Sequence, residues 1–497
     1  MNESYDKRFD SVIAASVCAN VLRDAEIFLA IDDSSVADNP KLKRRIMRMV
    51  EFGRTRAKRL STPRIILVAA LLAIVLAFTA CMCIPTVREA IWNIAHELVN
   101  GVCSTCGVKA PEGLDFTLSD DGTYYILSGA GGFEGEDLHV PATYNDLPVK
   151  EIAGQAFWEN ETTKNLVIPG SITKINAYAF RYCHVLETVI IEEGVTEIEE
   201  GAFYGCGSLN SVSLPNSIVN IGESAFSLNY KLESIILGSS LKHIGDNAFS
   251  DCESLENIVI PDSVVTLGKR AFSGCYSLKS VKLSSSIKVI SEGTFAACES
   301  LTSFDFPERL EKIDISAFQG CKSLVITEIP STLNYMGRYA FKECNSIKNL
   351  YIPSGVTSLG FGAFSNCESL ESISIPGTVD TVTQSAFEGC SSLKSVNIAH
   401  GVRYIERNAF KNCRSLETVN IPTTVCEIGR AAFYQCVSLK EVYVPSGALV
   451  VEKYAFGGIA GVVINCEFDS VPSDWEEGWC DENVIINWGV NKQSLRK

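Results

Sequence analysis

Cysteine is the residue of this 497-residue chain with the most chemistry to offer, and the spacing of its 19 copies decides which chemistry. Eleven of them, Cys183, Cys206, Cys252, Cys275, Cys298, Cys321, Cys344, Cys367, Cys390, Cys413 and Cys436, are separated by 23 residues or twice that. A zinc site needs several thiolates or imidazoles converging on one point. These thiols recur singly, and no histidine shares their phase. A disulfide framework needs pairs, whereas a column of equivalent thiols reads as reduced and packed. Cys103 and Cys106 form a single CxxC without the βαβ pattern of a thiol oxidoreductase, which reads as a local disulfide or two free thiols in a linker. Cys466 and Cys480 flank a tryptophan-rich stretch, where a staple and two free thiols are both open.

No other reactive grouping stands out. His96, His139, His184, His243 and His400 are scattered, with no nucleophile at a recognisable spacing. Gly129, Gly131, Gly132 and Gly135 do not follow the strand pattern of a phosphate loop and read as a turn. Asn160-Glu161-Thr162 is a sequon, relevant only where such sites are glycosylated. A catalytic site would interrupt a repeat, and the repeat described next shows no such break. No enzyme, cofactor or metal is expected.

The repeat is marked by phenylalanine: Phe157, Phe180, Phe203, Phe226, Phe249, Phe272, Phe295, Phe318, Phe341, Phe364, Phe387, Phe410, Phe433 and Phe456, every interval being 23 residues. Alanine precedes each except at Thr294. Six residues after most of these come Leu or Ile, then apolar residues at alternate places such as Val189 and Ile191, the period-2 mark of a strand. Proline closes many of the strands, as at Pro169, Pro261, Pro353 and Pro422. Two further inward positions follow, for example Val264 and Leu267. One such unit cannot bury its apolar edge alone, so stability belongs to the stack. At a strand separation of about 4.8 Å, the thirteen intervals give a rod of roughly 60 Å.

The phrase AFSDCESLENIVIPDSVVTLGKRAFSGC resembles the BspA-like, or Treponema pallidum-type, leucine-rich repeat, over roughly residues 114 to 489. The resemblance implies a mostly β solenoid of 23-residue coils over residues 153–460, with a β cap at 114–152 and a tryptophan-containing cap and tail at 461–497. In the first, SDDGT is expected to turn a hairpin and Pro148 to open a coil-like strand; in the second, Trp475, Trp479 and Trp488 are expected to cover the last apolar edge. Asn160 and Asn229 stand where other copies have Cys, as in the Asn/Cys ladder of leucine-rich repeats, where a small side chain caps backbone groups. Such proteins imply surface display and adhesion to host, matrix or cell-surface molecules.

Ahead of the repeats lies a different kind of sequence. Residues 65–87 run for 23 positions without a charge, and a hydrocarbon core about 30 Å thick needs about 20. Between Lys41 and Arg64 stand ten Lys/Arg and one acid, so the positive-inside rule predicts a transmembrane helix with residues 1–63 cytosolic and helical, a linker at 88–113, and the repeats outside the cell. The basic run would lie against anionic headgroups. The layout of the first hundred residues also resembles the N-terminal part of anti-sigma-type bacterial membrane regulators, which implies a cytosolic regulatory partner for residues 1–63. Net charge is −16, and residues 101–497 hold 29 Lys/Arg against 48 Asp/Glu, a balance that repels nucleic acid. The expected role is therefore binding of an extracellular protein or glycan, through exposed strand positions just after the repeat leucine: Glu187, Asn210, Glu256, Lys279, Glu371, Lys394 and Glu417. The rival role is a transmembrane sensor.

Overall fold

The computed structural model describes residues 112–490 except 327. The expectations for 1–63, 65–87 and most of 88–113, with His96, Cys103 and Cys106, fall outside the described residues. Among the described residues no helix is long and apolar enough to cross a membrane.

The described part is a mostly β solenoid of about 16 turns of some 23 residues, without a helix. Each turn sends its chain back in the direction of the one before, so neighbouring strands pair in parallel, and the rest of the turn serves as the crossover that parallel pairing requires. The turns form ahead of the first repeat phenylalanine. An antiparallel hairpin joins β1 (Asp115–Leu118) to β2 (Tyr125–Gly129) through Ser119, whose carbonyl accepts the Gly122 N–H at 2.9 Å. Strands β3 (Asp137–His139), β4 (Thr143–Tyr144) and β5 (Leu147–Ile152) follow. From there two ladders run in step. One goes from β3 to β6 (Asn165–Ile168) and β8 (Thr188–Ile191); the other goes from β5 to β7 (Lys174–Ile175) and β9 (Glu197–Ile198). Later turns repeat the register, Val189 facing Val212 and Ile198 facing Ile221. Where proline ends a strand its carbonyl takes the N–H three residues on, as from Val264 to Pro261 at 2.9 Å, which turns the chain from one ladder to the other.

The third side of each turn, around the phenylalanine, is neither strand nor helix. The residues two before and two after every one of the fourteen phenylalanines have left-handed φ, from Gln155 (+60°) and Glu159 (+55°) to Tyr454 (+61°) and Gly458 (+70°). The double reversal aims the intervening N–H groups at the following turn: Phe180 N–H donates to Ala202 O at 2.8 Å, and Tyr182 N–H to Tyr204 O at 2.8 Å. All three sides are thus hydrogen-bonded from turn to turn.

Inside, the phenylalanines form one stack. Thirteen successive ring pairs lie 5.0 to 5.7 Å apart, from Phe157–Phe180 to Phe433–Phe456, with planes within 19° of parallel. The alanine before each is small because its Cβ also lies in the core; all that occur from Ala179 to Ala455 are fully buried.

The expectation of an unbroken repeat is corrected at one place. After Leu324 the apolar side chain comes one residue early: Ile326 is buried, at a place that is exposed or half-exposed in neighbouring turns, and among the described residues the segment bridges the preceding turn at Ser303 and Val325. The displacement is local, since Ile329 is buried at the same place in its turn as Ile260 and Ile352. The turn before it carries Phe304 and Phe306, which pack edge-on against Phe318 at 4.8 and 5.8 Å.

Candidate binding surfaces

The cysteine column is internal. Each of the eleven thiols is buried and donates its S–H to the carbonyl of the phenylalanine in the preceding turn, at 3.0 to 3.2 Å, from Cys183 to Phe157 O through Cys436 to Phe410 O. Except at Phe226, whose carbonyl takes the Asn229 amide instead, the same carbonyl already accepts a backbone N–H within its own turn, so the thiol fills its second lone pair. Asn229 does the equivalent with its amide, donating to Phe203 O at 3.1 Å and Phe226 O at 2.8 Å. Burial pushes the Cys367 thiol up to about 12, and raises Cys275, Cys298, Cys321, Cys344 and Cys390 well above the ordinary thiol range. Protonated and enclosed, these sulfurs are hydrogen-bond donors and not nucleophiles. Cys466 and Cys480 are both free; burial pushes them to about 12 and about 11, and Cys480 also acts on Cys466 through its charge. Trp475 and Trp479 lie over the last turns, the first donating its indole N–H to Ala448 O at 2.9 Å. Asn160, in the sequon, uses its side-chain oxygen to take the Thr163 N–H at 2.8 Å and is half-buried.

The structure places Glu187, Asn210, Glu256, Lys279, Glu371, Lys394 and Glu417 in one column on the longer-strand ladder, exposed or, for Glu371, partly so. Each sits one turn from its neighbour in the column, and opposite charges have found each other: Lys279 with Glu256 at 2.7 Å, Lys394 with Glu371 at 2.7 Å, and Lys440 with Glu417 at 3.7 Å. Lys164, in the same column, pairs with Glu136 at 2.8 Å. The hydrogen bond and charge of Lys394 hold the Glu371 carboxyl below its usual range, and Glu371 raises Lys394 in return. A partner docking at these pairs meets charges that are already matched.

A grouping the spacing did not reveal lies on the phenylalanine side of the early turns. The Arg181 guanidinium stands 4.9 Å from the Trp158 ring, 5.1 Å from Tyr178, 4.8 Å from Tyr182 and 5.1 Å from Tyr204. Tyr178 and Tyr182 occupy the two left-handed positions of their turn, so their rings project along the solenoid over Gly201 and Gly205 of the next. A Cβ at either glycine would come within 2.5 Å of a tyrosine ring carbon. The available signal was that Trp158, Arg181 and Tyr204 share one column at 23-residue spacing, with Tyr178 and Tyr182 close to Arg181 in the chain; the phenylalanine and cysteine columns, which run through the array, mask it.

Two depressions, of about 270 and 360 Å³, are lined by residues such as Glu417 and Lys440, or Arg270, Glu292 and Lys322, and neither contains histidine or cysteine. The described histidines stay apart; His243 Nδ1 shares a 2.8 Å hydrogen bond with Thr266 Oγ1 of the next turn. Among the described residues no three His, Cys, Asp or Glu side chains converge as a metal site would require.

Parallel ladders, a stacked phenylalanine spine and a Cys/Asn donor column together define a leucine-rich-repeat solenoid. The chain belongs to the BspA type leucine rich repeat family, whose model matches residues 150–279, 242–370 and 334–463, six copies in all. Among solved structures it is similar to a leucine-rich repeat protein from Bacteroides ovatus, 26% identical, with a TM-score of 0.63 over 76% of this chain and 98% of the other. A leucine rich cell surface protein from Faecalibacterium prausnitzii is 24% identical over 68% and 95%, with a TM-score of 0.40. The pneumococcal vaccine antigen PcpA is 20% identical over 78% and 99%, with a TM-score of 0.42. No curated protein sequence matches the chain, and no catalytic family is matched.

Proposed function

We propose that this chain is a membrane-anchored binding protein of the cell surface, with residues 65–87 crossing the membrane, residues 1–63 in the cytosol and the solenoid displayed outside to engage proteins of a host, a matrix or another cell. The observation that carries the reading is the solenoid itself. Its interior is filled by repeated packing and its polar backbone is consumed between turns, which leaves a long outer surface as the part free to vary and to bind. Membership of a bacterial surface-protein family supports a protein-binding role. The uncharged run and the ten basic residues before it support the anchor and its orientation.

Two measurements test this. Protease added to intact cells should remove the repeats and spare the N-terminal segment; protection of the repeats would end the surface assignment. The full chain in lipid nanodiscs should bind at least one of a panel of immobilised matrix proteins or glycans saturably, and a panel without any such ligand would count against adhesion. The second reading, a sensor with an anti-sigma-like cytosolic segment, is supported only by the layout of residues 1–63. It predicts that deleting them changes transcription while display of the repeats is retained, and unchanged transcript levels would remove it.

A further inference from the structure

We infer that the Arg181 cluster, and not the strand column, is a docking site for a protein segment that presents a carboxylate flanked by apolar side chains. The inference rests on the protein-binding reading above and names the surface and the chemistry of the partner. Three observations carry it.

The first is an unsatisfied cation. A guanidinium has five N–H donors, and those of Arg181 have one long hydrogen bond, to the Tyr182 hydroxyl at 3.4 Å. Its Nε is shut off from solvent with no hydrogen-bond partner. The described residues place no carboxylate in an ion pair with it, and Glu200, the acid next to this group, instead accepts the Tyr178 hydroxyl. The faces of four rings surround the guanidinium and orient it, and its N–H donors other than the one on Tyr182 have no acceptor among the described residues. A carboxylate can take two of them side by side, and such a pair is stronger where rings have displaced water.

The second is the composition around it. Trp158 is 36% exposed, and Tyr178, Tyr182 and Tyr204 are partly so, which leaves aromatic surface open around the guanidinium. Tryptophan, tyrosine and arginine are the residues that dominate binding energy at protein interfaces, because they bury large area for little conformational entropy and keep a polar tip. The third is preparation of the site. Side-chain-free residues at Gly201 and Gly205 are what let the Tyr178 and Tyr182 rings lie across the next turn, so the cage exists before any partner arrives. In the strand column, by contrast, Lys279 and Lys394 are each already paired with a glutamate of the preceding turn.

The experiment pans a phage-displayed random dodecapeptide library against the full chain in nanodiscs, and measures the enriched peptides by fluorescence anisotropy. Enrichment of peptides with an Asp or Glu beside apolar residues is expected, with at least a tenfold loss of affinity when that acid is replaced by its amide, a change on the peptide that cannot unfold the protein. Arg181→Met and Trp158→Ala should each weaken the same peptides about tenfold or more, Arg181→Lys should weaken them less than Arg181→Met, and Lys279→Gln should leave them unchanged. Enriched peptides indifferent to Arg181→Met, or to loss of their own acid, would overturn the inference and leave the protein-binding reading in place. Binding of a carboxylated polysaccharide such as hyaluronate, with no peptide enriched, would assign the cluster to glycans and overturn it too. Failure of both the library and the matrix panel would remove the inference and the broader reading together.

Discussion

Every turn poses the same side-chain problems, so a substitution in one turn measures what the column contributes. Phe318 is fully buried with a ring above and below it at 5.3 and 5.6 Å. Phe318→Ala should cost ~3–5 kcal/mol, read as a lower midpoint of denaturant unfolding, because a central cavity cannot be closed by neighbours held in the same stack. Cys321 donates to Phe295 O at 3.1 Å. Cys321→Ala leaves that carbonyl one partner short and should cost about 1–3 kcal/mol, whereas Cys321→Asn should recover much of the loss, since Asn229 already donates to two phenylalanine carbonyls. Equal destabilisation by both would show that volume and not donation sets the column. Ala297 stands at φ +59°. Relief of left-handed strain predicts that Ala297→Gly raises stability by ~1 kcal/mol in the same assay, the reverse of the usual sign for glycine. The phenylalanine and cysteine columns were legible in the sequence because each admits few residue types. The left-handed positions were not, although Gly201, Gly205, Gly274, Gly293, Gly320 and Gly389 recur in those two columns, because Tyr178, Leu228 and Ala297 stand there as well and dilute the glycine signal.

At the scale of the strand, alternation and proline foretold which residues face inward, and the parallel pairing follows from the period. What linear reading left unseen was contact between turns. Glu256 and Lys279, like Glu371 and Lys394, are one period apart, so the exposed column expected from the sequence also holds ion pairs between turns. The pairing has a pH signature. Glu371 is held below its ordinary value of 4.5 by Lys394, so the folded chain binds that proton less readily than the unfolded one. Its contribution is present above the unfolded value and disappears as pH falls through the folded one, while that of Lys394, raised from 10.5, is complete below that value and fades above it. Both groups are exposed, so the effect is small and screened. The double change Glu371→Gln, Lys394→Gln should therefore flatten the acid side of the stability profile measured in low salt, and should do nothing at 1 M salt; a difference that survives high salt would point to another cause. The irregularity at Ile326 was also legible, because Thr327 stands three residues after the repeat leucine, where the other turns carry an apolar residue such as Val189, Ile258 or Val396.

For the molecule as a whole, hydrogen bonds and ring contacts join each turn almost wholly to its two neighbours, so cooperativity travels by adjacency. That linkage is indifferent to how many turns there are. Removing 250–272, which carries one phenylalanine, one thiol and one pair of strands, rejoins Phe249 to Ser273 with every column still in phase, so such a chain should be folded and only modestly less stable, while removing 250–271 should scramble everything downstream; limited proteolysis distinguishes the two. Repeat number is in that sense a heritable length setting. Gain or loss of whole 23-residue units can lengthen or shorten this protein by fixed increments, carrying the Arg181 cluster nearer to or farther from the end of the array without altering the cluster itself.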